Sequence, residues 1–217
     1  MRIVCVAALL AALCVTGGNR IQASEDRTFA VSVHLHFDRS IAPRLMKSLQ
    51  EETEGIWRPY GVHLEWNGDD EPETAANFFP LEAIVERQIE GATILGRAVV
   101  RLDAPAAQPI RVSFDATEHL LALRTTQPSF GRSERERELA RALGRVLAHE
   151  IGHVLLAAPN HDGAGLMRAA FRANELAAPE GAPFRLSCDG AGRLKSRIRV
   201  MTGDDGFAVD RATCIPR

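Results

Sequence analysis

The pattern of apolar and polar positions predicts strands and a helix in the first half of the chain. Residues 28–37 alternate between the two classes and are rich in β-forming residues, which predicts a strand. An amphipathic helix is expected to begin at Pro43 and to stop at Arg58-Pro59, since proline suits the first turn of a helix and breaks its interior. Short runs of β-forming residues predict further strands at 62–66, 92–102 and 109–115.

The clearest helical pattern precedes Pro159. Apolar residues recur there at helical spacing and predict an amphipathic helix with a broad apolar face. They are Leu139, Leu143, Val146, Leu147, Ile151, Val154 and Leu155. Ser133 and Glu136 have the spacing of a capping box, which predicts a helix start at about residue 134. A shorter helix is expected near 167–177, followed by an Arg-rich segment.

Residues 149–153, within the long helix, read His-Glu-Ile-Gly-His. His149 and His153 are four residues apart, so they lie on one face of the helix, where a single metal ion can bind both. Glu150 then lies near enough to hold a water molecule on that metal. The motif predicts a hydrolase with one catalytic Zn²⁺ ion, in which Glu150 is the general base.

His161 is the predicted third zinc ligand. A continuous helix would carry it roughly 12 Å beyond His153, out of reach of the metal, so the chain has to turn back. Pro159 is expected to force that break. Asp162 and Glu175 are the alternative third ligands, because carboxylates also bind zinc.

A zinc-binding helix, a third histidine after a turn and a downstream methionine resemble the metzincin metallopeptidases. Residues 146–168 carry the match and are also similar to exported bacterial proteins described as metallopeptidases. The resemblance implies that Met167 lies in a turn that forms an apolar floor under the ligands; a plain core methionine is the alternative. Two departures stand out: Leu156 replaces a glycine of the family pattern, and His161 comes two residues later than usual.

The resemblance implies an α+β fold of the zincin type. It comprises a mixed twisted sheet with an N-terminal helix, an active-site helix and a small irregular C-terminal subdomain. An edge strand is expected to hold an extended substrate by backbone pairing, and residues 92–102 are the candidate. Family members often add a tyrosine near the metal. The single tyrosine here, Tyr60, ends the first helix, so we expect that accessory to be absent.

Composition and charge narrow the class of partner. The chain has 217 residues, 46% of them hydrophobic, which suits one domain with a sizeable core. A net charge of −2 and few aromatic residues argue against a basic surface for nucleic acid. We expect a monomer that acts on a peptide or protein substrate, binds no nucleic acid and has no membrane contact after signal cleavage.

The N-terminus predicts export. Arg2 precedes an apolar run over 3–15, and small residues follow, as in a secretory signal peptide. Cleavage after Ala23 is expected, so that 1–23 is the signal and 24–217 is one secreted or periplasmic metallopeptidase-like domain. An uncleaved membrane anchor is the alternative.

Signal cleavage removes two of the four cysteines and leaves Cys188 and Cys214. Two cysteines in an exported chain most often form one disulfide, which would tie the C-terminal segment to itself. The alternative is a thiolate that caps the zinc in a latent enzyme.

Two other groups contain residue types that bind metals. His34 and His36 face the same side of the first strand without an evident third ligand, so a solvated strand face is expected. The acidic residues 69–71 lack the spacing of a calcium loop and are interpreted as a solvated turn.

A secreted zinc endopeptidase is thus the leading prediction. A zinc-binding protein without turnover is one alternative, although a purely structural site has no use for Glu150 beside an open coordination position. A zinc hydrolase acting on a non-protein amide, such as cell-wall material, is another, because the helix motif is common to both.

Overall fold

The structure, a computed structural model, describes residues 28–38, 40–67, 79–90, 94–100, 109–123, 131–179 and 184–216. The predicted signal peptide and the acidic turn lie outside the described residues. Within the described ranges, no helix is both long enough and apolar enough to cross a bilayer.

Within the described residues, five strands form one mixed sheet in the order β2-β1-β3-β5-β4. They are β1 (Phe29–Phe37), β2 (Val62–Asn67), β3 (Phe79–Glu86), β4 (Gly96–Arg97) and β5 (Ile110–Ser113). β1 runs parallel to β2 and β3, and β3 runs parallel to β5. β4 is antiparallel to β5 and forms one edge of the sheet.

In the part of the chain that the structure describes, five α-helices accompany the sheet. They are α1 (Pro43–Trp57), α2 (Phe114–Ala122), α3 (Arg132–Leu155), α4 (Ala173–Ala177) and α5 (Cys188–Thr202), with single 3₁₀ turns at Arg58–Tyr60 and Arg211–Thr213. A mixed sheet with an N-terminal helix and a long later helix confirms the α+β class. The strand at 28–37, the helix from Pro43 and the strand at 62–66 are confirmed within a residue or so.

Helices α1 and α3 cross closely at Gly144. A Cβ atom there would lie 2.7 Å from the Leu49 carbonyl oxygen, so only glycine allows this approach. Thr53 Oγ1 donates hydrogen bonds to both the Leu49 and Gly144 carbonyls, at 2.8 and 3.1 Å. The crossing fixes the middle of α3 two turns before residue 150.

Arg145, in α3, is completely buried. Its guanidinium group donates to Glu52 Oε1 of α1 at 2.7 Å and to the carbonyls of Glu175 and Leu176 of α4 at 2.6 and 3.1 Å. It also stacks on the Phe184 ring at 4.5 Å. One buried cation therefore joins three helices, and its burial is offset by the ion pair with Glu52.

Several sequence predictions are wrong in their boundaries. The capping box at Ser133 is not formed: α3 begins at Arg132 with Gly131 as its N-cap, so Ser133 lies inside the first turn. The strand predicted at 109–115 ends at Ser113, because Ser113 Oγ accepts from Ala116 N and starts α2. Of the strand predicted at 92–102, the described part pairs only over Gly96–Arg97.

Other elements were not expected from the sequence. Strand β3 contains Pro80, which weakens a strand prediction; the proline is tolerated because pairing with β5 begins only at Ala83. The Arg-rich segment forms α5, capped by Ser187 Oγ, which accepts from Gly190 N at 3.0 Å. The helix expected near 167–177 is limited to Ala173–Ala177. His34 and His36 are half-buried and not fully solvated.

Candidate metal site

The structure brings His149, His153 and His161 together. One nitrogen from each ring belongs to a group in which all distances are within 4.8 Å, and within the described residues this is the one group of three or more potential metal ligands. Nε2 of His149 and Nε2 of His153 are 3.1 Å apart. His149 and His153 are buried on α3, whereas His161 lies on the exposed turn that follows.

Hydrogen bonds define the tautomers of the two helical histidines. Nδ1 of His149 lies 2.7 Å from the Leu166 carbonyl oxygen, and Nδ1 of His153 lies 2.7 Å from that of Ala158. A carbonyl oxygen can only accept, so both Nδ1 atoms carry the proton and donate. Both Nε2 atoms therefore present bare lone pairs to each other.

This donor set fits a cation. Two facing lone pairs at 3.1 Å repel each other unless a positive charge lies between them. Tetrahedral zinc with Zn–N bonds of 2.0–2.1 Å separates its nitrogen ligands by about 3.3 Å, close to the observed spacing. Burial lowers the pKa of His149 to about 4 and also lowers the pKa of His153, which keeps both rings in the neutral form that binds metal.

The chain turns back earlier than the sequence predicts. Helix α3 ends at Leu155, four residues before Pro159, so the proline does not cause the break. Ala157 adopts a left-handed conformation with φ of 47°, and its N–H donates to the Val154 carbonyl. The Ala158 N–H donates to the His153 carbonyl, which completes a Schellman motif with alanine at the usual glycine position.

The two alternative ligands are engaged elsewhere. The carboxylate of Asp162 accepts hydrogen bonds from Ser187 Oγ and from Arg193, each at 2.7 Å. Glu175 pairs with the Arg168 guanidinium at 2.8 Å and accepts from a backbone N–H. The geometry therefore favours His161 as the third ligand over either carboxylate.

Met167 packs directly against the backbone of α3, the helix that carries His149 and His153. It is almost completely buried, and a Cβ atom added at Gly152 would lie 2.4 Å from its sulfur. Gly152 precedes His153, so Met167 supports α3 at the level of the second histidine. The need for glycine at 152 was not expected from the sequence, because the contact joins residues that only the fold brings together.

Glu150 is buried between α3 and the edge strand β4. A Cβ atom at Gly96 would lie 2.5 Å from Glu150 Oε1, so the glycine leaves the space that the carboxylate fills. Burial raises the pKa of Glu150 to about 8, opposed by a hydrogen bond from the Ala98 backbone N–H. A glycine within a predicted strand is a signal for such close approach, and it could have identified Gly96.

A cleft of about 580 Å³ opens beside these residues. Its walls combine His149, Glu150 and His161 with apolar side chains of α2, of α3 and of the segments that precede β4 and α4. The main apolar residues are Leu95, Leu120, Leu123, Val146 and Phe171. His119 of α2 adds an exposed imidazole to the wall that sequence reasoning did not single out.

Tyr60 and the cysteines organise the C-terminal region. The Tyr60 hydroxyl is buried, accepts from Leu186 N at 2.7 Å and donates to the Thr213 carbonyl at 3.2 Å. Cys188 and Cys214 form a disulfide with their Cα atoms 4.9 Å apart, so neither sulfur is a thiolate that could cap a metal.

No protein-family model matches this chain, and no curated protein matches its sequence. Among solved structures, the chain is similar to archaemetzincin from Methanopyrus kandleri. The two share 12% sequence identity, with 78% of this chain and 96% of that chain covered, at a TM-score of 0.49. The chemistry of the site follows from its own geometry.

Proposed function

We propose that the chain is an exported zinc-dependent endopeptidase. The observation that carries the proposal is the pair of Nε2 atoms of His149 and His153, which face each other at 3.1 Å while both Nδ1 atoms donate to backbone carbonyls. With His161 they offer three imidazole ligands. Three protein ligands with one open position are typical of catalytic zinc, whereas structural zinc has four.

His149, His153 and His161 would hold Zn²⁺, which would supply Lewis-acid chemistry by lowering the pKa of water to about 7 and polarising a scissile carbonyl. Glu150, next to His149 on α3, takes the proton from the attacking water as general base and passes it to the leaving amine. Its burial against Gly96 fixes the carboxyl group beside the site for both transfers. Burial also keeps bulk water away from this proton.

The surroundings of the site support a peptide as the substrate. Strand β4 is an edge of the sheet and touches Glu150 through Gly96, so an extended peptide that pairs with β4 passes the general base. The apolar cleft beside it accommodates an apolar side chain of that peptide. The sequence signal at 1–23 and the Cys188–Cys214 disulfide support an oxidising compartment outside the cytoplasm.

One experiment tests the proposal. The mature chain and its Glu150→Gln variant are purified, their zinc content is measured by mass spectrometry, and both are incubated with a mixed peptide library. We expect about one zinc per chain in both proteins and cleavage by the wild type alone, since the variant keeps the ligands and loses the base. Glu136→Gln, an exposed position on the same helix, is the matched control and should cleave normally.

The other outcomes of this experiment distinguish the alternative functions from one another. Zinc absent from both proteins would contradict the metal site. Zinc without peptide cleavage by the wild type would favour a zinc-binding protein without turnover. Release of amines from cell-wall material, with peptides left intact, would favour the non-protein amide hydrolase.

A further inference from the structure

Residues 185–187 form an extended support segment behind the turn that carries His161 and Leu166. The Arg185 carbonyl accepts from Leu166 N at 2.7 Å, and the Leu166 carbonyl in turn accepts from His149 Nδ1. Ser187 Oγ donates to Asp162 Oδ2 at 2.7 Å, and Asp162 directly follows His161. Leu166 thus lies between the support segment and His149, and Asp162 lies between the segment and His161.

Both oxygens of the Asp162 carboxylate are directed to the start of α5. Oδ2 accepts from Ser187, the N-cap of that helix, and Oδ1 accepts from Arg193 in its second turn at 2.7 Å. The Asp162 backbone N–H donates to the Met167 carbonyl at 2.7 Å. The residue after His161 is therefore fixed through its side chain and its backbone at the same time.

His161 depends on this neighbour more than the other ligands do. His149 and His153 are held by α3 and by their Nδ1 hydrogen bonds. His161 lies in an exposed turn, and within the described part of the chain its ring makes no hydrogen bond. Its position is therefore set by the backbone of the turn, which Asp162 anchors.

The support segment is itself held by the C-terminal residues and by Tyr60. The disulfide joins Cys188, which follows the segment, to Cys214. Ile215 N donates to the Leu186 carbonyl at 2.9 Å, and Cys188 N donates to the Ile215 carbonyl at 3.1 Å. The Tyr60 hydroxyl accepts from Leu186 N on the other side. Each residue of the segment is thus hydrogen-bonded to the ligand turn, to the 3₁₀ turn that follows α1, or to the C-terminal residues.

We infer that Asp162 and Ser187 are positioning residues for His161, and that the disulfide-closed C-terminal region thereby sets how tightly the chain retains zinc. This inference rests on the proposed zinc site. Residues behind the direct ligands fix ligand orientation in metal sites, and their loss typically weakens metal affinity by about 10- to 100-fold.

The test measures metal binding directly. Zinc affinity of the mature chain is determined by competition with a chelator, and Co²⁺ replaces zinc to report the ligand geometry in its visible spectrum. We expect Asp162→Ala and Ser187→Ala to lower zinc affinity by about 10- to 100-fold and to shift the cobalt spectrum towards that of His161→Ala. Ser187→Thr, which keeps the hydroxyl, should restore both readouts.

The controls separate positioning from general loss of structure. Ser196→Ala, an exposed hydroxyl on the same helix, should leave affinity and spectrum unchanged. If Asp162→Ala does not fold, Arg193→Gln tests the same carboxylate from a partly exposed side chain, and we expect weaker zinc binding there too. Wild-type affinity and spectrum in the Asp162, Ser187 and Arg193 variants would overturn the inference. A wild-type chain that binds neither zinc nor cobalt would overturn the proposed function, and the inference with it.

Discussion

Ala158 is hydrogen-bonded to both the backbone and the side chain of His153. Its N–H donates to the His153 carbonyl at 3.1 Å, and its own carbonyl accepts from His153 Nδ1 at 2.7 Å. The first bond belongs to the motif that ends α3, and the second selects the tautomer that leaves Nε2 bare. The end of α3 and the orientation of the His153 ring therefore form one structural unit. Both depend on the left-handed conformation of Ala157.

Replacing Ala157 by glycine should stabilise this unit. A left-handed conformation costs an L-residue roughly 1–2 kcal/mol, and glycine adopts it without that cost. We expect Ala157→Gly to raise the free energy of unfolding by up to about 1 kcal/mol, since glycine also gives the unfolded chain more freedom. Urea unfolding measures the change. Ala157→Val should destabilise the protein, and an equal effect of both substitutions would show that φ at 157 is not the cause.

Gly96→Ala should separate metal retention from catalysis. The new Cβ atom would lie 2.5 Å from Glu150 Oε1, so the carboxylate has to move while the three histidines stay in place. We expect kcat to fall on the order of 100-fold with zinc content unchanged, because a general base displaced by about 1 Å works poorly. Gly55→Ala, where nothing lies within 4 Å, is the control. Full activity of the Gly96→Ala variant would contradict the proposed role of Glu150 as the general base.

Gly152 and Met167 should be energetically coupled. A methyl group at residue 152 would lie 2.4 Å from the Met167 sulfur, so we expect Gly152→Ala to cost about 1–3 kcal/mol of stability through overpacking. In a Met167→Ala background the same change should cost much less, because the space is then open. A double-mutant cycle of urea unfolding gives the coupling energy. Additive effects would mean that the two side chains do not compete for this space.

Zinc should stabilise the folded chain, and magnesium should not. A ligand at 100 times its Kd adds about 2.7 kcal/mol to the free energy of unfolding, and three imidazoles bind zinc and not the oxygen-preferring Mg²⁺. Thermal unfolding with and without each metal measures this. His149→Ala should abolish the zinc-dependent rise in Tm, whereas His63→Ala, an exposed histidine on β2, should keep it. A rise that survives in His149→Ala would place the zinc elsewhere.

Removal of the disulfide should lower stability and metal affinity together. The bond closes a sequence separation of 26 residues, for which the chain-entropy model gives about 3.5 kcal/mol. We expect Cys188→Ser with Cys214→Ser to lose roughly that amount in urea unfolding. The variant should also release zinc to a chelator faster than the wild type under conditions where both are folded. Loss of stability with unchanged zinc release would show that the disulfide does not act on the ligand turn.

Local patterns in the sequence were sufficient for the two helical histidines, Glu150 and the first three elements. The spacing of His149 and His153 is a property of one helix, and β1 and β2 have strong two-residue periodicity. Strand β3 was obscured by Pro80, and α5 by its glycines at 190 and 192, which weaken helix propensity.

The remaining features depend on contacts between distant residues. Gly96 against Glu150, and Gly152 against Met167, join positions that only the fold brings together. The end of α3 at Leu155 depends on an alanine in a conformation that sequence rules reserve for glycine, so Pro159 was the more visible but wrong signal. Buried Arg145 likewise looks, in sequence, like one more surface arginine of the helix.

The position of the support segment in the sequence determines the order in which the parts of the metal site are synthesised. Residues 185–187 and Cys214 follow all three histidines in the chain, so a ribosome synthesises the ligands well before the residues that hold two of them in place. A chain that ends before residue 185 contains the histidines and Glu150 but lacks the hydrogen-bonding partners of Asp162 and Leu166. Synthesis of the support segment thus precedes full ordering of the turn that carries His161.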